Sequence, residues 1–166
     1  MSEPSTTLNA EQIAGKYLSF LLEGEEFGLQ ILKVQEIVGM MPVTRVPKAP
    51  PVIRGVVNLR GKVIPVVDLR SAFGQERRDD SEKTCIIVVQ VAHGDQQLIM
   101  GIIVDEVSEV RDIDAGIIEP PPEFGSLVDT SFILGMGIVG EQVVILLDID
   151  RVLGDEVLTL VNRLAK

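Results

Sequence analysis

The sequence predicts a mainly β chain that folds as two small barrels packed together. Short runs rich in Val, Ile and Leu recur along the chain and are separated by Gly-containing turns. Almost no stretch has the apolar spacing of a long helix, and short strands with Gly turns favour small barrels. The second half of the chain also repeats the order of features of the first, so we expect one barrel-like unit per half.

Size and composition set the limits of this fold. The chain has 166 residues, of which 46% are hydrophobic and 4% aromatic, and it contains no Trp. This length suits one ordinary domain or two small units that share a core, and that core must be aliphatic. The net charge of −10 argues against nucleic acid and anionic membranes as partners, because both are bound through clustered Lys and Arg.

Residues 1–15 are small and polar and are predicted to form a flexible tail. They lack the basic start and apolar stretch of a signal peptide, and the apolar runs further along are too short to span a bilayer. The chain has a single Cys, Cys85, and a single His, His93. An intrachain disulfide and a Cys/His metal cluster are therefore excluded. We expect a cytoplasmic protein with no metal or other cofactor.

The first half opens with a predicted hairpin. Residues 17–23 and 27–31 read as strands, and Gly24 suits the turn between them. The three-residue spacing of apolar side chains over 31–37 predicts a short helix or 3₁₀ turn. The Pro-rich stretch 44–51 should be extended and irregular.

A second hairpin follows, with strands predicted at 53–59 and 62–67. Pro65 cannot donate a hydrogen bond to a neighbouring strand, so its strand is predicted at a sheet edge or at a bulge. Asp68 is placed to cap a short helix over 69–73.

The second half repeats this plan. Residues 135–154 align with 55–74 without a gap, and residues 101–110 align with 28–37. Identical residues include a Gly at the start of each aligned block and the pair Asp68 and Asp148. The shared order of features predicts an internal duplication.

The resulting domain prediction has three parts. Residues 1–15 form the tail, and residues 16–154 form one unit of two pseudo-repeated barrels. These barrels divide at about 16–82 and 83–154, with strands allowed to cross between them. Residues 155–166 form a C-terminal amphipathic helix that docks on a barrel, because their apolar residues share one helical face.

Two arrangements were weighed as catalytic. Cys85 and His93 lie at opposite ends of one predicted strand, which argues against a nucleophile and its base. Asp68 and Asp148 occupy equivalent places, as the carboxylates of an aspartic dyad do. Their neighbours are bulky and their positions suit helix caps, so capping is favoured, and a carboxylate-dyad hydrolase stays the alternative. We predict no catalytic residues.

Several motifs together resemble the CheW family of chemotaxis coupling proteins. The segment Gly-Val-Val-Asn-Leu-Arg-Gly at 55–61, followed by Val-Ile-Pro-Val-Val-Asp-Leu at 63–69, is similar to the signature hairpin of that family. Residues 27–37, 101–110 and 119–124 also resemble family segments. The resemblance runs in order over nearly the whole predicted fold.

This resemblance implies two SH3-like β-barrels and a non-enzymatic adaptor. Such an adaptor would join the cytoplasmic tip of methyl-accepting chemoreceptors to the regulatory domain of the histidine kinase CheA. A scaffold in another receptor–kinase pathway is the alternative within the family. The resemblance implies receptor contacts at Val34, Glu36, Ile37, Gly55, Asn58, Arg60 and Val110. It also implies kinase or ring contacts at Glu119, Glu123 and Phe124.

Overall fold

The fold is taken from a computed structural model that describes residues 9–75, 79–121 and 130–164. Within these residues most of the chain is β-strand, with short helices between strands and a longer helix at the end. The strands are β1 Gly15–Leu22, β2 Glu25–Gln30, β3 Val34–Gly39, β4 Ile53–Leu59, β5 Lys62–Asp68, β6 Cys85–His93, β7 Gln96–Val104, β8 Glu106–Ile113, β9 Ile118–Glu119, β10 Ile133–Val139 and β11 Gln142–Leu147. The helices are α1 Ala10–Ile13, α2 Leu69–Ala72, α3 Ile149–Val152 and α4 Asp155–Leu164, and 3₁₀ turns lie at Ile31–Lys33 and Ala115–Ile117.

These strands form two sheets. Sheet 1 has the strand order β8-β1-β2-β11-β10-β9, and sheet 2 has the order β3-β6-β7-β5-β4. The predicted fold class is confirmed, because the chain is mainly β, its two sheets curl as half-barrels, and it ends in a helix.

Each sheet takes strands from both halves of the chain. The first hairpin, β1–β2, lies in sheet 1 among strands of the second half, and the hairpin β6–β7 lies in sheet 2 among strands of the first half. The predicted division near residue 82 therefore does not separate the sheets. The sequence pattern identifies each hairpin, but the strand that a hairpin pairs with is settled by long-range packing.

The exchange is reciprocal, and its registers match. Gly101 on β7 pairs with Val66 on β5, and Gly28 on β2 pairs with Leu146 on β11, both in parallel. Gly28 aligns with Gly101 in the repeat, and Val66 aligns with Leu146. The two crossed pairs therefore occupy equivalent positions, which is what an internal duplication would produce.

The largest core cluster joins the two sheets. It contains Phe20 and Leu29 of sheet 1 together with Ile87 and Met100 of sheet 2, all fully buried. Two smaller clusters fill the individual sheets. Since small barrels bury too little surface to be stable alone, the shared cluster makes the halves depend on each other.

The segment 31–37 differs from its predicted helix. A 3₁₀ turn covers only Ile31–Lys33, and Val34–Gly39 is strand β3, paired with β6. Partly buried and exposed residues alternate along β3, which is the period of a strand. The apolar spacing of three residues arises because Ile31 belongs to the 3₁₀ turn, whereas Val34 and Ile37 belong to the strand.

Pro65 lies in an interior strand, so its predicted place at a sheet edge is wrong. The predicted bulge lies next to it, because β4 shifts register between Ile53 and Gly55, opposite Val67 and Val66. β5 is flanked by β7 and β4, and Pro65 pairs with Val56. Val56 exchanges both of its backbone hydrogen bonds with Thr44 on its other side, at 2.8 and 2.9 Å, so it directs none towards Pro65. The pairing of β5 with β7 begins only at Val66. Pro65 thus occupies a position where no ladder bond from its nitrogen is required.

The predicted tail ends earlier than residue 15. Helix α1 covers Ala10–Ile13 and begins with a capping box between Asn9 and Gln12. Ile13 is buried, and its carbonyl oxygen accepts a hydrogen bond of 2.7 Å from the Tyr17 hydroxyl. An apolar contact and a buried hydrogen bond therefore hold this turn on sheet 1.

Candidate functional site

The positions predicted to contact a receptor fall mainly on sheet 2. Val34, Glu36 and Ile37 lie on β3, Gly55 and Asn58 lie on β4, and Arg60 lies in the turn between β4 and β5. Val110 lies on β8 of sheet 1. The fold therefore gathers six of the seven positions on one sheet and leaves the seventh on the other.

Arg60 joins the two edges of sheet 2. Its guanidinium donates a hydrogen bond to the Glu36 carboxylate, although β3 and β4 are the outermost strands of that sheet. The curl of the sheet brings the edges together. Arg60 is still 68% exposed, and a guanidinium carries five N–H donors. It can therefore bind a second acceptor while Glu36 holds its position.

The β4–β5 turn fixes the direction of Arg60. Arg60 has a φ of 52°, in the left-handed region, and Gly61 follows with a φ of 88°. Asn58 stabilises this turn, since its side-chain oxygen accepts a 2.8 Å hydrogen bond from the Gly61 N–H. Asn58 is thus part of the scaffold that presents Arg60.

Sequence reasoning missed two exposed valines, one on the strand after this turn and one on the strand after the β10–β11 turn. Val63 is 55% exposed and pairs with Asn58 across the hairpin. Val143 occupies the equivalent place on β11 and is also exposed. The sequence did contain a signal for them: Val63 and Val143 are the same residue at equivalent positions of the repeat, each the second residue of the strand after a hairpin turn. We call Glu36, Asn58, Arg60 and Val63 the hairpin-tip surface.

Ile37 and Val110 are exposed but lie apart from this surface. Ile37 is exposed on β3, on the face opposite to its neighbour Glu36. Val110 aligns with Ile37 in the repeat and is exposed on the other sheet. The two residues form equivalent apolar positions on the two halves.

Gly55 is required by the packing of its own chain. A side chain there would clash with the Thr44 carbonyl oxygen and approach Val43 Cγ1 to 2.7 Å, and Gly55 has a φ of 148°. Thr44 bridges to the neighbouring Val56. Residues 43–44 of the same chain therefore approach the backbone of Gly55 closely.

The predicted kinase contacts are only partly described. Glu119 is exposed on the short strand β9 and pairs with Met136 on β10. Glu123 and Phe124 lie outside the described residues.

Asp68 and Asp148 are separate helix caps. Asp68 accepts a hydrogen bond from the N–H of Arg70 at the start of α2, and Asp148 accepts one from Asp150 at the start of α3. The capping prediction is confirmed for both. The Asp68 carboxylate is also bonded to the Arg70 guanidinium at 2.9 and 3.0 Å, so it is already engaged within its own half. This geometry removes the support for a carboxylate-dyad hydrolase.

The environments of these caps differ in charge. Arg70 is 1% exposed and also pairs with Asp80 and Asp105, both at 3.2 Å. Burial and the nearby charge of Asp150 raise the pKa of Asp148. One cap is therefore a member of a buried ion network, and the other is a carboxylate whose charge is disfavoured.

Cys85 and His93 do not meet. They are the first and last residues of β6, and His93 Nε2 lies 2.9 Å from Asp155 Oδ1 on α4. Burial raises the pKa of the Cys85 thiol, and the charge of Glu106 adds to this. A thiol with a raised pKa is a poor nucleophile.

Residues 9–75, 79–121 and 130–164 lack two further features, a metal site and a membrane-spanning helix. No group of three or more His, Cys, Asp or Glu side chains there could hold a metal ion. In the same residues, every helix is too short or too polar to cross a bilayer.

Comparison with known proteins agrees with this architecture. A sequence model described as the CheW-like domain matches residues 16–157. The chain is 42% identical to the chemotaxis protein CheW of Klebsiella aerogenes, over 96% of this chain and 93% of that protein. It is 31% identical to a probable chemotaxis protein CheW of Rhizobium etli, over 83% and 86% of the two chains.

A solved structure supports the same relationship. The crystal structure of the scaffolding protein TtCheW from Thermoanaerobacter tengcongensis matches with a TM-score of 0.70 and 39% sequence identity. The match covers 81% of this chain and 88% of that one. Agreement in sequence and fold over most of the described residues shows that the chain belongs to the CheW family.

Proposed function

We propose that this protein is a non-catalytic adaptor that couples the cytoplasmic tip of methyl-accepting chemoreceptors to the regulatory domain of a CheA-type histidine kinase. It would act in the cytoplasm, recruited to receptor arrays at the membrane and without a cofactor. Family membership supports a scaffolding role in chemotaxis. The observation that carries the receptor assignment is the exposed Arg60 held in place by Glu36.

The hairpin-tip surface suits a helical partner. Val63 offers an apolar contact beside Arg60, and a helix packs on such a surface through its apolar face. Arg60 adds a directed bond to a carboxylate or carbonyl oxygen of the partner. Ile37 and Val110, which lie apart from the hairpin-tip surface, would add separate apolar contacts on the two halves. A single contact through so few residues would bind the receptor weakly. In an array, many such contacts act together, and this multivalency would strengthen the overall binding.

The proposed kinase and ring contact is the segment 119–124, which begins at Glu119. Glu119 is exposed on β9, the last strand of that sheet. Phe124 would be the apolar anchor, because aromatic side chains dominate the energetics of protein interfaces. Glu123 would supply a polar contact at its rim.

The coupling role is tested by kinase autophosphorylation in membranes that hold a cognate receptor and CheA, with and without this protein. Strong activation that attractant suppresses is expected. The absence of activation by the folded protein with cognate partners would contradict coupling and leave a scaffold of another pathway.

The receptor surface is tested by Arg60→Glu, which reverses the exposed charge and breaks its bond with Glu36. Receptor binding should fall by about tenfold or more, with the fold retained. Lys83→Glu is the matched control, because Lys83 is 65% exposed and also faces a Glu, Glu106. If both variants bind the receptor as the unchanged protein does, Arg60 is not in the site.

The kinase surface is tested by Phe124→Ala. Binding to the kinase regulatory domain should weaken more than binding to the receptor, since only the first interface would lose an aromatic anchor. Pull-down and sedimentation with each partner separately measure the two effects. Equal losses for both partners would contradict this assignment.

A further inference from the structure

An open groove on sheet 1 is lined almost entirely by apolar side chains. It has a volume of about 330 Å³. Its walls come from Phe27 of β2, Ile145 of β11, Ala72 and Phe73 at the end of α2, and Phe132 just before β10. We call it the Phe27 groove, and it is distinct from the hairpin-tip surface of sheet 2.

The aromatic walls of the Phe27 groove support one another. The rings of Phe27 and Phe73 are 5.5 Å apart, and those of Phe73 and Phe132 are 5.4 Å apart. Phe27 also stacks on the fully buried Phe20 at 5.9 Å. Such a chain of ring contacts anchors the groove in the core, so its apolar surface is built into the fold.

The equivalent site on sheet 2 is covered by helix α4. The repeat relates β2 and β11, which line the Phe27 groove, to β7 and β5, and α4 packs on these two strands. Leu158 and Val161 of α4 are buried there. The same core cluster holds the residues that align with the groove walls, namely Met100, Val52 and Leu153.

Among the described residues, no helix with such an apolar face directly follows α2. The segment that aligns with α4 begins at Gln75, and its sequence through 83 is polar, whereas α4 has an apolar face. In the described residues, the face that α4 buries on one half is thus left open on the other. Because α4 covers the equivalent site, the ligand that suits the Phe27 groove is a short helix like α4. Its aliphatic side chains would be three residues apart, as Leu158 and Val161 are.

One polar group in the groove, Gln75, and one beside it on β2, Glu25, indicate the charge of that helix. The side-chain oxygen of Gln75 is buried and has no hydrogen-bond partner among the described residues. Glu25 is exposed and lies two residues before Phe27 on β2, which places it on the same face of the strand. A hydrogen-bond acceptor and a carboxylate both favour a cationic, donor-rich residue on the ligand.

We propose that the Phe27 groove is a docking site for an amphipathic helix of a partner protein, with aliphatic residues at i and i+3 and a Lys or Arg at one end. The helix would lie on β2 and β11 as α4 lies on β7 and β5. This proposal does not depend on the receptor and kinase contacts proposed above.

The probe is a synthetic peptide with the sequence of residues 155–164, because α4 fits the equivalent site. It is held helical by a side-chain cross-link between solvent-facing positions, since isolated helices of this length are unstable in water. A second peptide carries Asp155→Lys and Glu156→Lys. Fluorescence anisotropy with the full-length protein should give saturable binding and higher affinity for the basic peptide.

Variants of the full-length protein localise the binding. Ala72→Trp fills the groove and should weaken binding by about tenfold or more, whereas Thr159→Trp places the same bulk on the exposed face of α4 and should not. Glu25→Lys changes an exposed residue and should remove the preference for the basic peptide. Unchanged binding in both Ala72→Trp and Glu25→Lys would overturn the proposal.

Methyl NMR distinguishes the remaining outcomes. Shifts at Ile133 and Ile145 are expected on peptide addition, whereas shifts confined to Leu158 and Val161 would mean that the peptide displaces α4 and would overturn the proposal. A concentration-dependent dimer that the peptide dissociates would also overturn it, because a second copy would then occupy the groove. Arg60→Glu should leave peptide binding unchanged, so failure here and failure of receptor coupling are separable.

Discussion

Gly101 lies opposite Val66 where β7 runs parallel to β5, and a methyl group on Gly101 would come within 2.6 Å of Ile86 Cγ2. Ile86 lies on β6, so this crowding arises within the β6–β7 hairpin, whereas Val66 Cγ2 of the first half would lie 3.5 Å from the methyl group. The equivalent Gly28 is less crowded, with its nearest neighbours at 3.3 Å. The two glycines are therefore equivalent in register, but Gly101 is the more crowded because of Ile86 in its own hairpin.

Gly101→Ala should lower the free energy of unfolding by about 1–3 kcal/mol, because the branched side chain of Ile86 must move. Gly28→Ala should lower it less. Urea denaturation of both variants measures the difference. Equal losses of stability would contradict the difference in crowding around Gly101 and Gly28.

Gly55→Ala should destabilise the protein by about 1–3 kcal/mol from backbone strain, with a further cost from the clash with Thr44. Gly39→Ala is the control, since a Cβ there meets no atom within 4 Å, and it should stay within about 0.5 kcal/mol. Thermal unfolding compares the two. If Gly55→Ala unfolds at the same temperature as the unchanged protein, residues 43–44 can move away from position 55 without loss of stability.

The two helix caps should respond differently to the loss of charge. Asp68→Asn keeps a capping oxygen but weakens the buried pairing with Arg70, so a loss of about 3–5 kcal/mol is expected. Asp148→Asn keeps the cap and removes a charge that burial disfavours, so its stability should stay within about 0.5 kcal/mol or rise. If chemical denaturation shows similar losses of stability for Asp68→Asn and Asp148→Asn, the two caps do not differ in charge environment as described.

Acid should weaken the protein partly through Asp80. Burial would raise the pKa of this carboxyl, but its bonds with Arg54 and Arg70 outweigh burial and lower the pKa below its ordinary 3.8. A pKa that is lower in the folded state contributes stability above the ordinary value, and that contribution is lost as the pH falls through the folded value. Urea unfolding between neutral pH and about pH 3 should therefore show a smaller loss of stability for Asp80→Asn than for the unchanged protein. An identical loss would mean that the ion pairs of Asp80 with Arg54 and Arg70 do not contribute to the stability of the folded protein.

Local features were predictable because their signals are local. The hairpins β1–β2 and β4–β5 follow from apolar runs around Gly turns, and the caps Asp68 and Asp148 follow from their places before short apolar segments. Helix α4 follows from the spacing of its apolar residues. The motif around Arg60 led to the family.

Features that join distant segments were not predictable in the same way. The segment 31–37 was assigned the wrong period because a turn and a strand meet within it. The place of Pro65 depended on where the pairing with β7 begins. Each outcome depends on a partner strand that the local pattern does not identify.

The sequence by itself determined the hairpins and their turns, the helix caps, the duplication pattern and the family. Only the tertiary structure decided that the halves exchange hairpins, that Arg60 bonds to Glu36, and that one half keeps an uncovered apolar groove. The physical reason is that side-chain periodicity specifies which face of an element is buried. What that face is buried against depends on contacts between residues far apart in the chain, and these form only when the two sheets pack together.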